Sequence, residues 1–103
     1  LREAADAFER AVAVQPGYWR AWRNLGRARL KLGEHAKAAR AYEQALAINK
    51  DLGPRDRLDL GRAYKGAGDI AGAAREFSRA VIEDPSGETG KAARAELRAL
   101  GRS

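Results

Sequence analysis

The amino-acid sequence predicts an all-α fold built from repeated helical hairpins. Apolar and small residues recur every three or four positions, which is the period of one helix face, as in Trp19, Trp22, Leu25 and Ala28. Alanine, leucine, arginine, glutamate and lysine favour helices, and no stretch alternates β-branched residues with the period of a strand. Glycine and proline interrupt the pattern at intervals, so several short helices are expected.

The helical segments also repeat along the chain. Three positions of one helix, small, aromatic and small, recur at spacings of 34 and then 35 residues: Ala4, Phe8 and Ala11, then Ala38, Tyr42 and Ala45, then Ala73, Phe77 and Ala80. A second pattern lies between these copies, because NLGRARLKLGE (24–34) aligns with DLGRAYKGAGD (59–69). Two different helices in alternation predict a hairpin as the repeating unit.

The helix ends are marked by residues that break helices. Breaks are expected at Pro16-Gly17, Gly33, Gly53-Pro54, Gly66 to Gly68 and Pro85-Ser86-Gly87. Pro54 suits the first turn of a helix, where its missing N–H costs nothing, and Asp69 suits the cap of the following helix. A closing helix is expected from Thr89 or Gly90 to Leu100.

The repeated residues resemble a known family. Trp22-x2-Leu25-Gly26 and Leu60-Gly61-x2-Tyr64, each followed by the small-aromatic-small pattern, resemble the tetratricopeptide repeat, whose period is about 34 residues. The resemblance implies a right-handed α-solenoid of antiparallel helix hairpins with a C-terminal capping helix. It divides the chain into the second helix of a truncated repeat (1–16), two repeats (17–52 and 53–87) and the capping helix (88–103).

The family pattern predicts how two sets of residues pack. Gly26 and Gly61 are expected where two antiparallel helices cross closely, and the aromatic residues Phe8, Tyr42 and Phe77 between successive hairpins. The chain departs from the family pattern at three places: Arg29 stands where an aromatic is expected, Arg57 where Trp22 stands one repeat earlier, and Lys50 where Pro16 and Pro85 stand.

Composition limits the classes of function. A chain of 103 residues forms a modest core, and it contains neither an apolar run long enough to span a bilayer nor a signal segment at its start, so no membrane insertion is expected. Without Cys it has no disulfides. The absence of Met predicts that Leu1 is not the first residue of the gene, which leaves the cellular location open.

No residue pattern predicts catalysis, a metal or a cofactor. The stretch KGAGDIAGAA (65–74) contains glycines as nucleotide sites do, but a helix precedes it and the glycine spacing is GxGxxxG, so it is interpreted as a hairpin turn. His35 is the one histidine, and it lacks both an orienting partner and further metal ligands in the sequence. A non-enzymatic protein is therefore expected.

Positive charge is concentrated on one predicted helix. Between Gly17 and Gly33 there are five cations and no acid, and most of them share one helix face with Asn24. The resemblance implies that the first helix of each hairpin lines a concave peptide-binding surface. In this chain that surface would be a basic groove. The implied peptide-binding residues are Arg20, Arg23, Asn24, Arg27 and Lys31, then Arg55, Arg62 and Lys65, and Asp59 stands where a cation would be expected.

Three further interpretations stay open. The cations could form a solvated surface paired with neighbouring acids. Tyr18, Trp19 and Trp22 beside basic residues could bind nucleic acid, an interpretation ranked below a protein or acidic peptide partner because aromatic residues are not interleaved elsewhere. Finally, the first helix presents Leu1, Phe8 and Val12 toward a helix absent from the sequence, which predicts a self-association surface and a possible homo-oligomer.

Overall fold

The structure, a computed structural model, describes residues 2–101. It contains helices α1 (Arg2–Val14), α2 (Trp19–Lys31), α3 (His35–Ile48), α4 (Pro54–Gly66), α5 (Ile70–Glu83) and α6 (Glu88–Ala99). No residue in the described range forms a β-strand. The predicted all-α fold of packed helical hairpins is confirmed.

The helices form two compact units. Unit 1 contains α1, α2 and α3 and ends at Leu52. Within it, α2 packs against both α1 and α3. One cluster of its core joins the three helices through Val12, Ala21, Leu25 and Ala41, with Phe8, Ala11 and Trp22 packed at its margin.

Unit 2 begins at Gly53 and contains α4, α5 and α6. Here α5 packs against both α4 and α6, and α4 also contacts α6. The buried cluster consists of Leu58, Ala73, Phe77, Ala80 and Ala93, with Tyr64, Val81, Ala92, Leu97 and Leu100 around it. The apolar side of α6 therefore covers α5, as expected of a closing helix.

The helix ends follow the predicted breaks. Pro54 occupies the start of α4, and the Asp69 carboxylate caps α5 by accepting a hydrogen bond of 2.9 Å from the backbone N–H of Gly72. Gly68, between α4 and α5, has a φ of +90°, a conformation that favours glycine. KGAGDIAGAA is thus the turn of a helical hairpin. The closing helix begins slightly earlier than predicted, at Glu88.

Close helix packing depends on two glycines. A Cβ added to Gly26 would lie 2.8 Å from Tyr42 Cδ2, and one added to Gly61 would lie 2.5 Å from Phe77 Cε1. Each aromatic ring therefore lies against the first helix of its own hairpin, α2 or α4. From the sequence, these rings were expected only between successive hairpins. The contact with the first helix depends on how both helices are rotated, which the sequence does not give.

Candidate functional site

The four cations and one amide that the sequence places on one side of α2 are called here the α2 face: Arg20, Arg23, Asn24, Arg27 and Lys31. At its start, the guanidinium carbons of Arg20 and Arg23 lie 4.9 and 5.5 Å from the centre of the Trp19 ring. Cations are attracted to the face of an indole. Arg23 Nε also donates a 3.0 Å hydrogen bond to Asn24 Oδ1. These contacts hold three polar groups of the face in one place.

The rest of the α2 face borders a groove between α1 and α2. The groove has a volume of about 250 Å³ and combines an apolar side with a polar side. Its lining residues are Ala4, Phe8 and Ala28 on the apolar side and Asn24, Arg27 and Lys31 on the polar side. The structure thus brings part of the predicted basic stripe together with Phe8, which the sequence analysis had assigned to a separate surface.

Two acids of unit 1 pair with cations outside the α2 face. Glu9 pairs with Arg29, so the arginine that replaces an expected aromatic ties α2 to α1. Glu34 accepts a hydrogen bond from Arg2. That hydrogen bond lowers the pKa of Glu34 and raises the pKa of Arg2. These pairs brace α1 against α2 and against the turn that follows it.

The residues predicted for self-association have different positions. Phe8 is half-buried and lines the groove, as described above. Val12, which was expected on an uncovered face, is instead only 7% exposed because it packs in the cluster with Ala21 and Leu25. Leu1 lies outside the described residues. The apolar surface that α1 exposes is carried by other residues, among them Val14 at 80% exposure.

The candidate residues of α4 are paired within unit 2. Arg62 Nε and Lys65 Nζ donate hydrogen bonds of 2.8 and 2.9 Å to the two carboxylate oxygens of Glu96 on α6. Burial alone would raise the pKa of Glu96, but the bonds from Arg62 and Lys65 outweigh it and lower that pKa. Arg55 is exposed and lies 3.6 Å from Asp59. Glu96 could not be recognised as their partner from the sequence, because it lies on another helix.

The aromatic residues near the start of α2 are used in part by the fold. Trp22 Nε1 donates a 2.7 Å hydrogen bond to the carbonyl oxygen of Pro16, and its ring packs against the core of unit 1. Trp19 carries the two arginines, whereas Tyr18 is 48% exposed. Trp22 is therefore engaged in the fold, and Tyr18 is the exposed ring of the three.

Metal binding and membrane spanning are two further possibilities for residues 2–101. No group of three or more His, Asp or Glu side chains in this range could hold a metal ion. None of the helices in the same range has the length and apolar character needed to cross a membrane.

The family is decided by sequence matches over most of the chain. Profiles of the tetratricopeptide repeat match residues 1–56 and residues 30–97. The chain belongs to the tetratricopeptide repeat family. Tetratricopeptide repeats generally mediate protein–protein interaction and are typically non-enzymatic scaffolds.

Individual relatives share the repeat over part of their length. The chain is 47% identical to the tetratricopeptide repeat domain-containing protein PYG7, chloroplastic, of Arabidopsis thaliana over 64% of the chain and 24% of that protein. It is 49% identical to tetratricopeptide repeat protein 33 of Mus musculus over 44% of the chain and 17% of that protein. The chain therefore spans less than a quarter of the length of these relatives.

A solved structure with a similar fold is that of the MamA protein. The two structures superpose with a TM-score of 0.69 at 33% sequence identity. The match covers 82% of this chain and 45% of the MamA chain. This likeness agrees with the helical hairpins of the tetratricopeptide repeat.

Proposed function

We propose that this tetratricopeptide repeat chain is an interaction scaffold that binds an acidic segment of a partner protein on the α2 face. The observation that carries the proposal is the groove between α1 and α2, in which Asn24, Arg27 and Lys31 stand opposite Phe8. The apolar side suits a side chain of the partner, and the polar side supplies donors for its carboxylates. In this proposal the chain catalyses no reaction and needs no cofactor.

The arginines on Trp19 extend the same cationic face toward the start of α2. Because the indole restricts Arg20 and Arg23, less side-chain freedom is lost when a carboxylate binds them. Arg55, Arg62 and Lys65 of α4 are proposed as a separate contact region. A ligand would have to displace Glu96 from Arg62 and Lys65 before it could bind them.

The proposal is tested by selecting peptides from a random display library with the purified chain. We expect the selected sequences to combine Asp or Glu with an apolar residue. Replacing Arg23 and Arg27 by Glu should weaken binding of a selected peptide by about tenfold or more, because two attractive contacts become repulsive. Selection of neutral or basic peptides would contradict the proposal.

A matched control separates the α2 face from net charge. The variant Arg10→Glu/Arg40→Glu makes the same change of charge at two exposed positions of unit 1 outside the groove. It should bind the selected peptide as the unmodified chain does. Equal weakening in both variants would mean that the peptide responds only to overall charge. Competition by arbitrary single-stranded RNA, falling steeply with salt, would favour nucleic-acid binding instead.

Self-association through α1 is a second candidate function. It is favoured by the exposed Val14 and by the partly exposed Phe8 on the same helix. Sedimentation of the chain at several concentrations tests it. A mass that rises with concentration, and that falls back when Val14 is replaced by Glu, would support self-association over partner binding.

A further inference from the structure

The two helical hairpins of the chain share most of their buried residues. Helices α2 and α3 of unit 1 correspond to α4 and α5 of unit 2 with an offset of 35 residues (60 minus 25 for the first pair below). At this offset buried residues are identical or alike in these pairs: Leu25 and Leu60, Gly26 and Gly61, Ala28 and Ala63, Ala38 and Ala73, Tyr42 and Phe77, and Ala45 and Ala80. Both hairpins also make the same contact between a glycine and an aromatic ring. These shared residues do not distinguish α3 from α5 as a partner for α2.

One contact in the core differs in chemistry between the hairpins. In unit 1, Trp22 of α2 packs against the apolar cluster that contains Ala41 of α3. The corresponding residues of unit 2 are Arg57 and Glu76, since 57 minus 22 and 76 minus 41 are both 35. They form a hydrogen-bonded ion pair in which each side chain is only 6% exposed. One hairpin is thus joined here by apolar packing and the other by buried charges.

A wrong pairing of the helices would separate these charges. If α4 packed on α3, Arg57 would lie against Ala41, which offers no carboxylate. If α2 packed on α5, Glu76 would lie against Trp22, which offers no positive charge. Arg75 would stay beside Glu76, but its side chain is 61% exposed and lies 3.5 Å away. Because a buried charge without its partner is strongly destabilising, both wrong pairings are disfavoured.

We propose that the Arg57–Glu76 ion pair determines which helices of this chain pair with each other, and prevents exchange between its two hairpins. An intact buried ion pair adds little stability beyond that of apolar residues, because both charges lose their hydration. Discrimination between partners needs only the large cost of separating the two charges. Segment exchange and misassembly are characteristic folding errors of repeat proteins, so discrimination is useful here. This inference concerns folding and does not depend on the proposed ligand.

Transplanting the ion pair into unit 1 of the full chain tests the discrimination. Ala41→Glu buries a carboxylate against Trp22 and should lower the folding equilibrium constant about a hundredfold or more. Adding Trp22→Arg supplies the cation and should recover at least about tenfold of that loss. Arg40 corresponds to Arg75, so the transplanted carboxylate keeps an arginine as its neighbour in the sequence. Urea denaturation measures each constant, and if Ala41→Glu has no folded state, recovery is the return of a cooperative transition.

A matched control separates charge pairing from relief of crowding. Trp22→Leu/Ala41→Glu removes the indole and its bond to the Pro16 carbonyl, as Trp22→Arg does, but supplies no cation. It should be no more stable than Ala41→Glu alone. Recovery in this control equal to that of Trp22→Arg/Ala41→Glu would mean that space, and not charge, limits the pairing, which would overturn the proposal.

Exchange of helices is measured directly on refolding. Arg57→Trp/Glu76→Ala gives unit 2 the residues of unit 1, so neither wrong pairing separates the two charges. After refolding from urea at high protein concentration, sedimentation should show a several-fold larger fraction of dimers for this variant than for the unmodified chain. Arg62→Leu/Glu96→Leu is the control, because it breaks a charged contact between α4 and α6 and leaves the hairpins different. It should form no more dimers than the unmodified chain.

The kind of dimer matters for the conclusion. Dimers with exchanged helices form during refolding and persist on dilution until the chain is unfolded again, whereas association of folded surfaces reverses on dilution. Persistent dimers of Arg57→Trp/Glu76→Ala, together with a rescue by Trp22→Arg that its control lacks, would support the proposal. Absence of the rescue would mean that the ion pair does not discriminate between helices. Absence of persistent dimers would mean that other contacts already determine the pairing, and either result would overturn the proposal.

Discussion

Arg57 Nη1 donates a 3.0 Å hydrogen bond to Glu76 Oε1, and both side chains are buried. The pair joins α4 to α5 inside unit 2. Arg57 stands where Trp22 stands one repeat earlier, and Trp22 uses its indole N–H to bind the Pro16 carbonyl instead. Equivalent positions of the two repeats therefore carry different chemistry. One repeat has a buried ion pair and the other has an aromatic ring.

Removing one member of this pair should destabilise the fold strongly, whereas replacing both members together should destabilise it little. Glu76→Leu leaves the Arg57 guanidinium buried without its carboxylate, which should lower the free energy of unfolding by about 3 kcal/mol. The double variant Arg57→Leu/Glu76→Leu should recover most of that loss because neither member of the pair is then left buried without the other. Urea denaturation measures both. A double variant as unstable as the single one would contradict the interpretation.

Packing at the two glycines gives a second prediction. Gly61→Ala should destabilise the fold by about 1–3 kcal/mol, because the added Cβ would overlap the Phe77 ring. Gly26→Ala should behave similarly, with a smaller effect because Tyr42 Cδ2 is slightly farther away. Gly17→Ala is the matched control, since nothing lies within 4 Å of a Cβ at that position. Thermal unfolding of the three variants tests this order.

Helix capping differs between the two hairpins. Asp69 accepts a hydrogen bond from Gly72, whereas Glu34, at the corresponding position before α3, makes no capping bond with its side chain. Asp69→Ala should therefore reduce the free energy of unfolding by about 1 kcal/mol. Urea denaturation measures the loss, and an unchanged stability of this variant would contradict the role of the Asp69 cap.

The sequence predicted the helices well because each repeats a pattern with local causes. Helices are predicted by the period of small and aromatic residues, and their starts by residues such as Pro54 and Asp69. These effects act within a few residues of the chain. Contacts between helices were harder to predict from the sequence. Val12 was assigned to the wrong face, and the partner of Arg62 could not be identified, because the rotation of one helix against another depends on the whole packed core.

Glu96 should make stability depend on pH in a defined direction. Its pKa is lower in the folded chain than its ordinary value of 4.5, so its contribution is full above that value and is lost as the pH falls through the folded pKa. Glu96→Gln should cost about 1 kcal/mol at neutral pH and progressively less in acid. Urea denaturation across this pH range measures the difference. Glu88→Gln is the control, because the Glu88 side chain is 97% exposed.

The indole of Trp19 should affect ligand binding more than folding. Trp19→Leu removes the ring on which Arg20 and Arg23 lie, so both side chains would lose more freedom on binding a ligand. A cost of about 0.5–1 kcal/mol should weaken binding of a selected acidic peptide about two- to fivefold. The control is Tyr64→Leu, which removes a ring that lies beneath Arg75 in unit 2, outside the α2 face. Titration of both variants with the same peptide, at a temperature where each is folded, provides the test. Equal affinities for the two variants would mean that Arg20 and Arg23 bind the ligand without help from Trp19.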